Sequence, residues 1–283
     1  MSELQSESPE NKDENVHGLK PASDSSAFDG NVLPIDEHVE EVVGEDGRKT
    51  PHRGIYLLPN LFTTAALFSG FYAIIAGTNG NFEYAAIAIF IAMILDGLDG
   101  RVARLTNTTS AFGEQYDSLS DMVSFGLAPA LVIFSWALHD LGTFGWVCAF
   151  VYAVCAALRL ARFNTQIGSV DSRYFIGLAS PAAAAIVAGI VWVGSDVSMS
   201  FELSVFAAIM TVFAGLLMVS NFNYSSFKGL DFKSRVPFVS ILAVVLILAV
   251  LAIDTPKMLL TIFACYGLSG PVLWLWQKFG RKG

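Results

Sequence analysis

Charged residues are scarce in this chain of 283 amino acids, because only 15% are charged whereas 54% are hydrophobic. The formal net charge of −8 is uneven, since residues 1–53 hold 13 acids and 5 bases whereas residues 54–283 hold 12 of each. A mean hydropathy of +0.55 excludes an ordinary soluble domain and indicates a protein that crosses the membrane several times. The acidic segment 1–53 has no sustained apolar period and predicts a disordered tail.

Cysteine and histidine are also rare, with three and four residues respectively. The cysteines fall inside apolar runs, so no disulfide framework or cysteine metal site is expected. No histidine is placed to act with an acidic cluster, which argues against Ser-His-Asp and Cys-His catalysis. The chain has no Walker A sequence, no dinucleotide-binding glycine pattern and no nucleic-acid-binding pattern of basic and aromatic residues. Any chemistry must therefore come from carboxylates.

Eight apolar runs are each long enough to cross about 30 Å of hydrocarbon. They cover residues 56–76, 84–104, 118–138, 144–163, 178–194, 203–221, 236–253 and 257–277. The pattern predicts an all-α integral membrane protein, a polytopic helical bundle of about eight transmembrane helices over residues 54–283. With the tail 1–53 in the cytoplasm, eleven Lys and Arg residues of the membrane region face the cytoplasm and only Lys257 faces outward. This bias predicts a cytoplasmic tail.

Four aspartates interrupt this apolar sequence at the ends of the second and third runs. Asp96 and Asp99 are three residues apart, and Asp117 and Asp121 are four apart, so each pair shares one helix face. Carboxylates at membrane depth are costly and mark polar cavities. Because four converging carboxylates repel one another and hard cations prefer oxygen ligands, the pattern predicts a site for one or two divalent cations, Mg²⁺ or Mn²⁺. With the predicted topology, the site lies on the cytoplasmic side.

Small residues accompany the acids on the second run. Gly97, Gly100 and Ala103 leave a face with little side-chain volume. Such a face lets a flat group, such as a nucleotide base and ribose, lie against the backbone. The alternative is close packing of helices, which small residues also permit in membranes. The sequence leaves both open for Gly97.

The acids and small residues together form one string. From Asp96 to Asp121 the chain resembles the pattern D-x-x-D-G-x-x-A-R-x8-G-x3-D-x3-D of the CDP-alcohol phosphatidyltransferase family, with all eight fixed positions matched. The resemblance implies that two divalent ions lie among the four aspartates and that Asp121 is the general base. It also implies a six-helix core that forms a homodimer. The nucleotide-binding residues that it implies are Gly100, Ala103, Arg104 and Gly113, and Asn60 also resembles the family pattern, although helix capping is its alternative role.

A metal-assisted mechanism agrees with this string. Two cations can neutralise phosphate oxygens and stabilise the entering and leaving oxygens of an in-line displacement. Asp121 would accept the proton of the attacking alcohol. The cation could itself acidify that alcohol, because a metal-bound carboxylate is a weak base.

The acceptor alcohol depends on other elements. Residues 159–164 and 175–183 resemble the R-L-A-R-F-N and F-x-G-L-P-x-P-A-A elements of the serine-using bacterial type II subgroup, with Ala179 in place of proline. The resemblance implies L-serine, whose carboxylate Arg159 or Arg162 could bind through a forked pair of hydrogen bonds. Asn164 and Ser118 are further head-group candidates. For the arginines, anchoring to lipid head groups is the alternative.

The predicted function is transfer of the phosphatidyl group from CDP-diacylglycerol to L-serine, giving phosphatidylserine and CMP. The alternative within this class is another acceptor, such as glycerol 3-phosphate, inositol phosphate or choline. A cation transporter is the alternative from another class, but it would place acids near mid-membrane and contain inverted repeats. The expected location is the bacterial inner membrane, with lipid as surroundings and the site facing the cytoplasm.

Overall fold

The protein is a bundle of long helices. The computed structural model describes residues 41–43, 49–51, 57–106, 111–166, 174–225 and 254–280. Its first two long helices are α1 (Leu57–Thr78) and α2 (Phe82–Leu105). The later helices are α5 (Thr143–Gln166), α6 (Ser180–Gly194), α7 (Phe201–Val219) and α8 (Thr255–Gly280).

The third membrane-length element is a helical rod made of several segments. It comprises α3 (Ala111–Asp121), a π-helical segment (Met122–Leu127), α4 (Ala128–Ile133), a second π-helical segment (Phe134–Leu138) and a 3₁₀ turn (His139–Leu141). π-Helical turns are rare and occur often at functional sites. Here the first one begins directly after the predicted base Asp121.

Helix α1 contacts both of its neighbours through short polar groups. The Ser120 and Ser124 hydroxyls donate to the backbone carbonyls of Thr63 and Ala66, at 3.2 and 3.1 Å. The Ser69 hydroxyl donates to the Ala88 carbonyl of α2 at 2.8 Å. The α1 and π-helical backbones approach so closely that a Cβ at Gly70 would lie 2.5 Å from Ser124 Oγ. Small residues and hydroxyl hydrogen bonds of this kind hold helices together in membranes.

Pro129, inside the rod, and Pro271, inside α8, each leave a carbonyl without a helical N–H donor, and a buried tyrosine donates to that carbonyl. A proline has no N–H for the carbonyl four residues earlier, which is Phe125 for Pro129 and Gly267 for Pro271. The Tyr152 hydroxyl donates to the Phe125 carbonyl at 3.0 Å, and the Tyr224 hydroxyl donates to the Gly267 carbonyl at 2.9 Å. Neighbouring elements thereby supply donors that the prolines cannot, as a membrane interior requires.

Two pairs of short strands accompany the helices. Strand β1 (Glu41–Val43) pairs with β2 (Lys49–Pro51), and β3 (Tyr174–Ile176) pairs with β4 (Asn223–Ser225), both antiparallel. The first pair lies in the segment predicted to be disordered, so residues 41–43 and 49–51 have regular structure where the composition indicated none. β-Branched residues in both strands favour this extended backbone.

The predicted fold class, a polytopic all-α membrane bundle, is confirmed apart from these short strands. Seven of the eight predicted runs correspond to helices or to the rod, and the run 236–253 lies outside the described residues, as do residues 1–40. Among the described residues, five elements are long and apolar enough to cross a membrane. Helix α2 carries charges in its second half, and α6, with 15 residues, is about 22 Å long. Helix α6 begins later than predicted because Gly177, at φ +83°, ends the preceding strand.

Candidate active site

Three carboxylates meet where the end of α2 faces α3. Asp96 and Asp99 come from α2 and Asp117 from α3, and one carboxylate oxygen from each lies within 4.8 Å of the others. The i, i+3 spacing puts the two α2 acids on one face, and the packing of α1 against both helices brings that face to α3. The predicted metal ligands therefore converge, with three of the four in one group.

Asp121 lies beside this group, one turn further along α3. Its carboxylate interacts electrostatically with those of Asp96 and Asp117 and with the Arg159 guanidinium of α5. Arg159 also interacts with Asp96. The predicted base therefore interacts both with the carboxylate group and with the Arg159 guanidinium.

The donor set fits a hard divalent cation. Asp117 Oδ1 is buried and has no hydrogen-bond partner among the described residues, although buried polar atoms are normally paired. An unpaired buried carboxylate oxygen beside two further carboxylates is stabilised by a bound cation, and all-oxygen donors suit Mg²⁺ or Mn²⁺.

Thr63 is a site residue that the sequence did not indicate. It is buried on α1, and its hydroxyl donates to Asp99 Oδ2 at 2.8 Å. Asp99 itself is only 5% exposed, so this bond fixes the orientation of a carboxylate that water scarcely reaches. Thr63 is 36 positions from Asp99, and no local pattern links residues so far apart.

The glycine face of α2 is open. A Cβ built at Gly97 or Gly100 would meet no heavy atom within 4 Å, so packing between described helices does not explain these glycines. The neighbouring Arg104 is exposed, and its Nε donates to the Gly100 carbonyl at 2.8 Å. Ala103 is partly buried at the edge of this face.

Helices α1 and α3 contact each other through two hydroxyl groups. Thr64 Oγ1 and the Tyr116 hydroxyl are 2.9 Å apart, and the Thr64 hydroxyl also donates to the Asn60 carbonyl at 2.7 Å. Gly113, in the first turn of α3, is partly exposed. Asn60 is the fourth residue of α1, so it lies within the helix and is not its N-cap.

The predicted head-group residues bond to different partners in the structure. Asn164 Nδ2 donates to Ser118 Oγ at 3.0 Å, which joins α5 to α3. Arg162 Nη1 donates to Asn221 Oδ1 at 3.4 Å. Arg159 Nη1 donates to the buried Ser180 hydroxyl at the start of α6. Of the predicted head-group residues, Arg159 is therefore the one whose guanidinium interacts electrostatically with the site carboxylates of Asp96 and Asp121.

The fold and this carboxylate group define a multi-pass membrane protein with a donor set suited to divalent cations beside an open glycine face. A family model described as CDP-alcohol phosphatidyltransferase matches residues 56–220, which contain α1, α2, the rod, α5, α6 and α7. The chain belongs to the CDP-alcohol phosphatidyltransferase family, and the predicted membership is confirmed.

Similar proteins extend over most of the chain. A CDP-diacylglycerol–serine O-phosphatidyltransferase of Helicobacter pylori is 34% identical over 226 residues, covering 80% of this chain and 94% of the relative. A protein of the same name from Bacillus subtilis is 34% identical over 172 residues, covering 60% and 91%. A crystal structure of Mycobacterium tuberculosis phosphatidylinositol phosphate synthase with CDP-DAG bound has a TM-score of 0.45 and 16% identity, covering 58% and 80%. That similarity is too low to transfer details of the site.

Replacing Thr63 with valine removes the hydroxyl on Asp99 and nearly preserves volume. Loss of a hydrogen bond that orients a metal ligand lowers metal affinity by roughly 10–100-fold. We expect Thr63→Val to require at least about tenfold more Mn²⁺ for half-saturation, measured by electron paramagnetic resonance of free Mn²⁺. Thr211→Val is the control, because Thr211 is also buried but donates within its own helix, to the Ala207 carbonyl at 2.7 Å. Equal Mn²⁺ affinity in both variants would contradict this role.

Proposed function

We propose that this protein transfers the phosphatidyl group of CDP-diacylglycerol to the hydroxyl of L-serine, giving phosphatidylserine and CMP. The observation that supports it most is the convergence of Asp96, Asp99 and Asp117, with an unpaired buried oxygen on Asp117, beside the open glycine face of α2. Relatives named for the serine reaction, at 34% identity over most of their length, support the choice of acceptor.

The residues have distinct roles in this proposal. Asp96, Asp99, Asp117 and Asp121 hold Mg²⁺ or Mn²⁺, in one or two ions. Such cations, when bound, neutralise the oxygens of a pyrophosphate. Gly100, Ala103, Gly113 and Asn60 receive the cytidine nucleotide, and the exposed Arg104 supplies a positive charge at its edge.

Asp121 acts as the general base. Its carboxylate takes the proton of the serine hydroxyl as that oxygen attacks the phosphorus bearing the diacylglycerol. The bond from this phosphorus to the CMP oxygen breaks, and CMP leaves. Arg159, which interacts electrostatically with Asp121, binds the serine carboxylate through its remaining N–H donors.

Ser118 and Asn164 then position the acceptor side of the site indirectly. Because Asn164 bonds to Ser118, the pair holds the ends of α3 and α5 together. Arg162 bonds to the exposed Asn221, which suits a residue at the membrane surface. In this proposal the Ser118–Asn164 pair and Arg162 stay outside the reacting centre.

The proposed orientation places the site and the tail 1–53 on the cytoplasmic side of a bacterial inner membrane. The support is the excess of Lys and Arg at one side, which is also the side of the acids, because Arg101 and Arg104 follow Asp99 on α2. A homodimer is part of the proposal through family membership. The cation-transporter alternative loses support, because Asp96, Asp99 and Asp117 lie in one group near the end of α2 that carries Arg101 and Arg104.

A comparison of acceptors tests this function. Purified protein with CDP-diacylglycerol and Mg²⁺ or Mn²⁺ is given serine, glycerol 3-phosphate, inositol phosphate or choline separately, and CMP release is measured. We expect release with serine only. Release with another acceptor and none with serine would contradict the choice of serine. Asp121→Asn is the control, because it should abolish release while leaving the protein folded.

An alanine on the open glycine face should affect stability and substrate binding in opposite directions. Alanine is favoured over glycine within helices by about 0.5–1 kcal/mol, and Gly100 has space for a Cβ. Gly100→Ala should therefore keep or raise the melting temperature but raise the KM for CDP-diacylglycerol, because the methyl group occupies the proposed nucleotide face.

Gly70→Ala is the matched control for this prediction. There a Cβ would lie 2.5 Å from Ser124 Oγ and 2.7 Å from Ser124 Cα, so the melting temperature should fall. An unchanged KM for CDP-diacylglycerol in Gly100→Ala would place the nucleotide elsewhere.

A further inference from the structure

Helix α5 is bonded to the rod at two points, one on either side of Arg159. The Tyr152 hydroxyl donates to the Phe125 carbonyl at 3.0 Å, and Asn164 Nδ2 donates to Ser118 Oγ at 3.0 Å. Arg159 lies between Tyr152 and Asn164 in the continuous helix α5. Its segment therefore runs alongside the stretch of the rod from Ser118 to Phe125.

The helical period turns Arg159 toward this stretch. A Cβ built at Gly126 would lie 3.3 Å from Ala156 Cβ and 3.0 Å from Met122 Sδ, so Ala156 faces the rod. Arg159 comes three residues after Ala156 and shares its face of α5. The Arg159 side chain thus starts from the face that packs against the rod, next to the segment that carries Asp121.

Two side chains contact the guanidinium of Arg159. Its Nη1 donates to the Ser180 hydroxyl of α6. The Phe163 ring lies one turn further along α5, with its centroid 5.8 Å from Arg159 Cζ, which is within the range of a cation–π interaction. Among the described residues, Ser180 is the hydrogen-bond partner of this guanidinium, so one N–H donor is used and the others remain for a ligand.

Ser180 is held in place at the start of α6. It is fully buried, and the two residues that lead into it are bonded to other segments. The Leu178 N–H donates to the Leu217 carbonyl of α7 at 3.0 Å, and the Gly177 N–H donates to the Phe222 carbonyl at 2.9 Å. Because these bonds fix the backbone before α6, the hydroxyl that accepts from Arg159 has a defined position.

The two contacts have different effects on Arg159. Attraction to the Phe163 ring depends only weakly on where the N–H groups point, whereas a hydrogen bond depends strongly on the direction of its donor. The bond to Ser180 therefore sets the rotation of the guanidinium. A ligand that binds an unordered arginine must also order that side chain, which weakens binding, and an arginine that is already oriented removes this cost.

We propose that Ser180 is a positioning residue for the acceptor, because its hydroxyl holds Arg159 in the orientation that binds the substrate carboxylate. This inference rests on the proposed function, because it requires an acceptor whose carboxylate binds Arg159. It assigns the first residue of α6 a part in acceptor selection. The proposed donor site is the glycine face of α2, so donor binding does not involve Ser180.

Ser180→Ala and Ser180→Cys test this role together. Both remove the oxygen that accepts from Arg159, and cysteine keeps most of the side-chain volume but offers only a weakly accepting sulfur. We expect the KM for serine to rise by about tenfold or more in each variant, as for the loss of a hydrogen bond to a charged group. From the same CMP-release assay, kcat and the KM for CDP-diacylglycerol should stay within about twofold of wild type.

Ser195→Ala is the matched control. Ser195 directly follows the opposite end of α6, and its hydroxyl donates to the Trp192 carbonyl at 2.9 Å. This variant removes a serine hydroxyl beside the same helix without affecting Arg159. All three kinetic values should therefore equal those of the wild type.

An unchanged KM for serine in Ser180→Ala would overturn the proposal. A rise in Ser180→Ala that is absent in Ser180→Cys would also overturn it, because volume would then matter and the hydrogen bond would not. Loss of folding, or a fall in kcat with a rise in both KM values, would assign Ser180 to packing alone and would equally reject the proposal.

Wild-type CMP release with serine is measured in the same assay and separates the two claims. Its presence upholds the proposed function whatever the Ser180 variants show. Its absence rejects the proposed function, and the role of Ser180 in acceptor binding with it.

Discussion

Repulsion between carboxylates is the constraint on which the rest of this structure depends. Three carboxylate oxygens lie within 4.8 Å of one another, and at this distance two unit charges repel by about 3 kcal/mol at an effective dielectric constant of about 20. Helix packing must hold α2 and α3 together against this repulsion. Hydroxyl hydrogen bonds join α1 to both elements. The Thr63 hydroxyl of α1 donates to Asp99 of α2, and the Ser120 and Ser124 hydroxyls of the rod donate to backbone carbonyls of α1. The same converging carboxylates attract a divalent cation, which would offset their repulsion.

Interior prolines and buried tyrosines shape the elements around this charge. Tyr152 donates to the carbonyl that Pro129 leaves without an N–H partner, in the rod that also carries Asp117 and Asp121. Tyr224 does the same for Pro271 in α8. In each case, a hydroxyl from another element donates to a carbonyl that the proline leaves without an N–H partner, as a membrane interior requires. The Tyr224 contact also joins β4, and through its pairing β3, to α8, which lies outside the family match.

The sequence predicted the features that depend on local spacing. The acids at i, i+3 and i, i+4 and the long apolar runs follow directly from helical periodicity, and they lead to the carboxylate group and the bundle. Thr63 and Ser180 were not predicted, because each acquires its contact with a site residue from packing between distant segments. The two strand pairs were missed because three-residue strands leave almost no pattern. To test the packing explanation for Gly97, its neighbours in the fold had to be known. To test the capping explanation for Asn60, the first residue of α1 had to be known.

Direct measurement of Mn²⁺ binding tests the central claim, that the carboxylate group of α2 and α3 holds a divalent cation. Titration of the purified protein, followed by electron paramagnetic resonance, should show saturable binding in the wild type. Asp117→Asn should weaken that binding by about tenfold or more, whereas Asp140→Asn, at a side chain that is 84% exposed, should not change it. Equal binding by wild type and Asp117→Asn would contradict the claim.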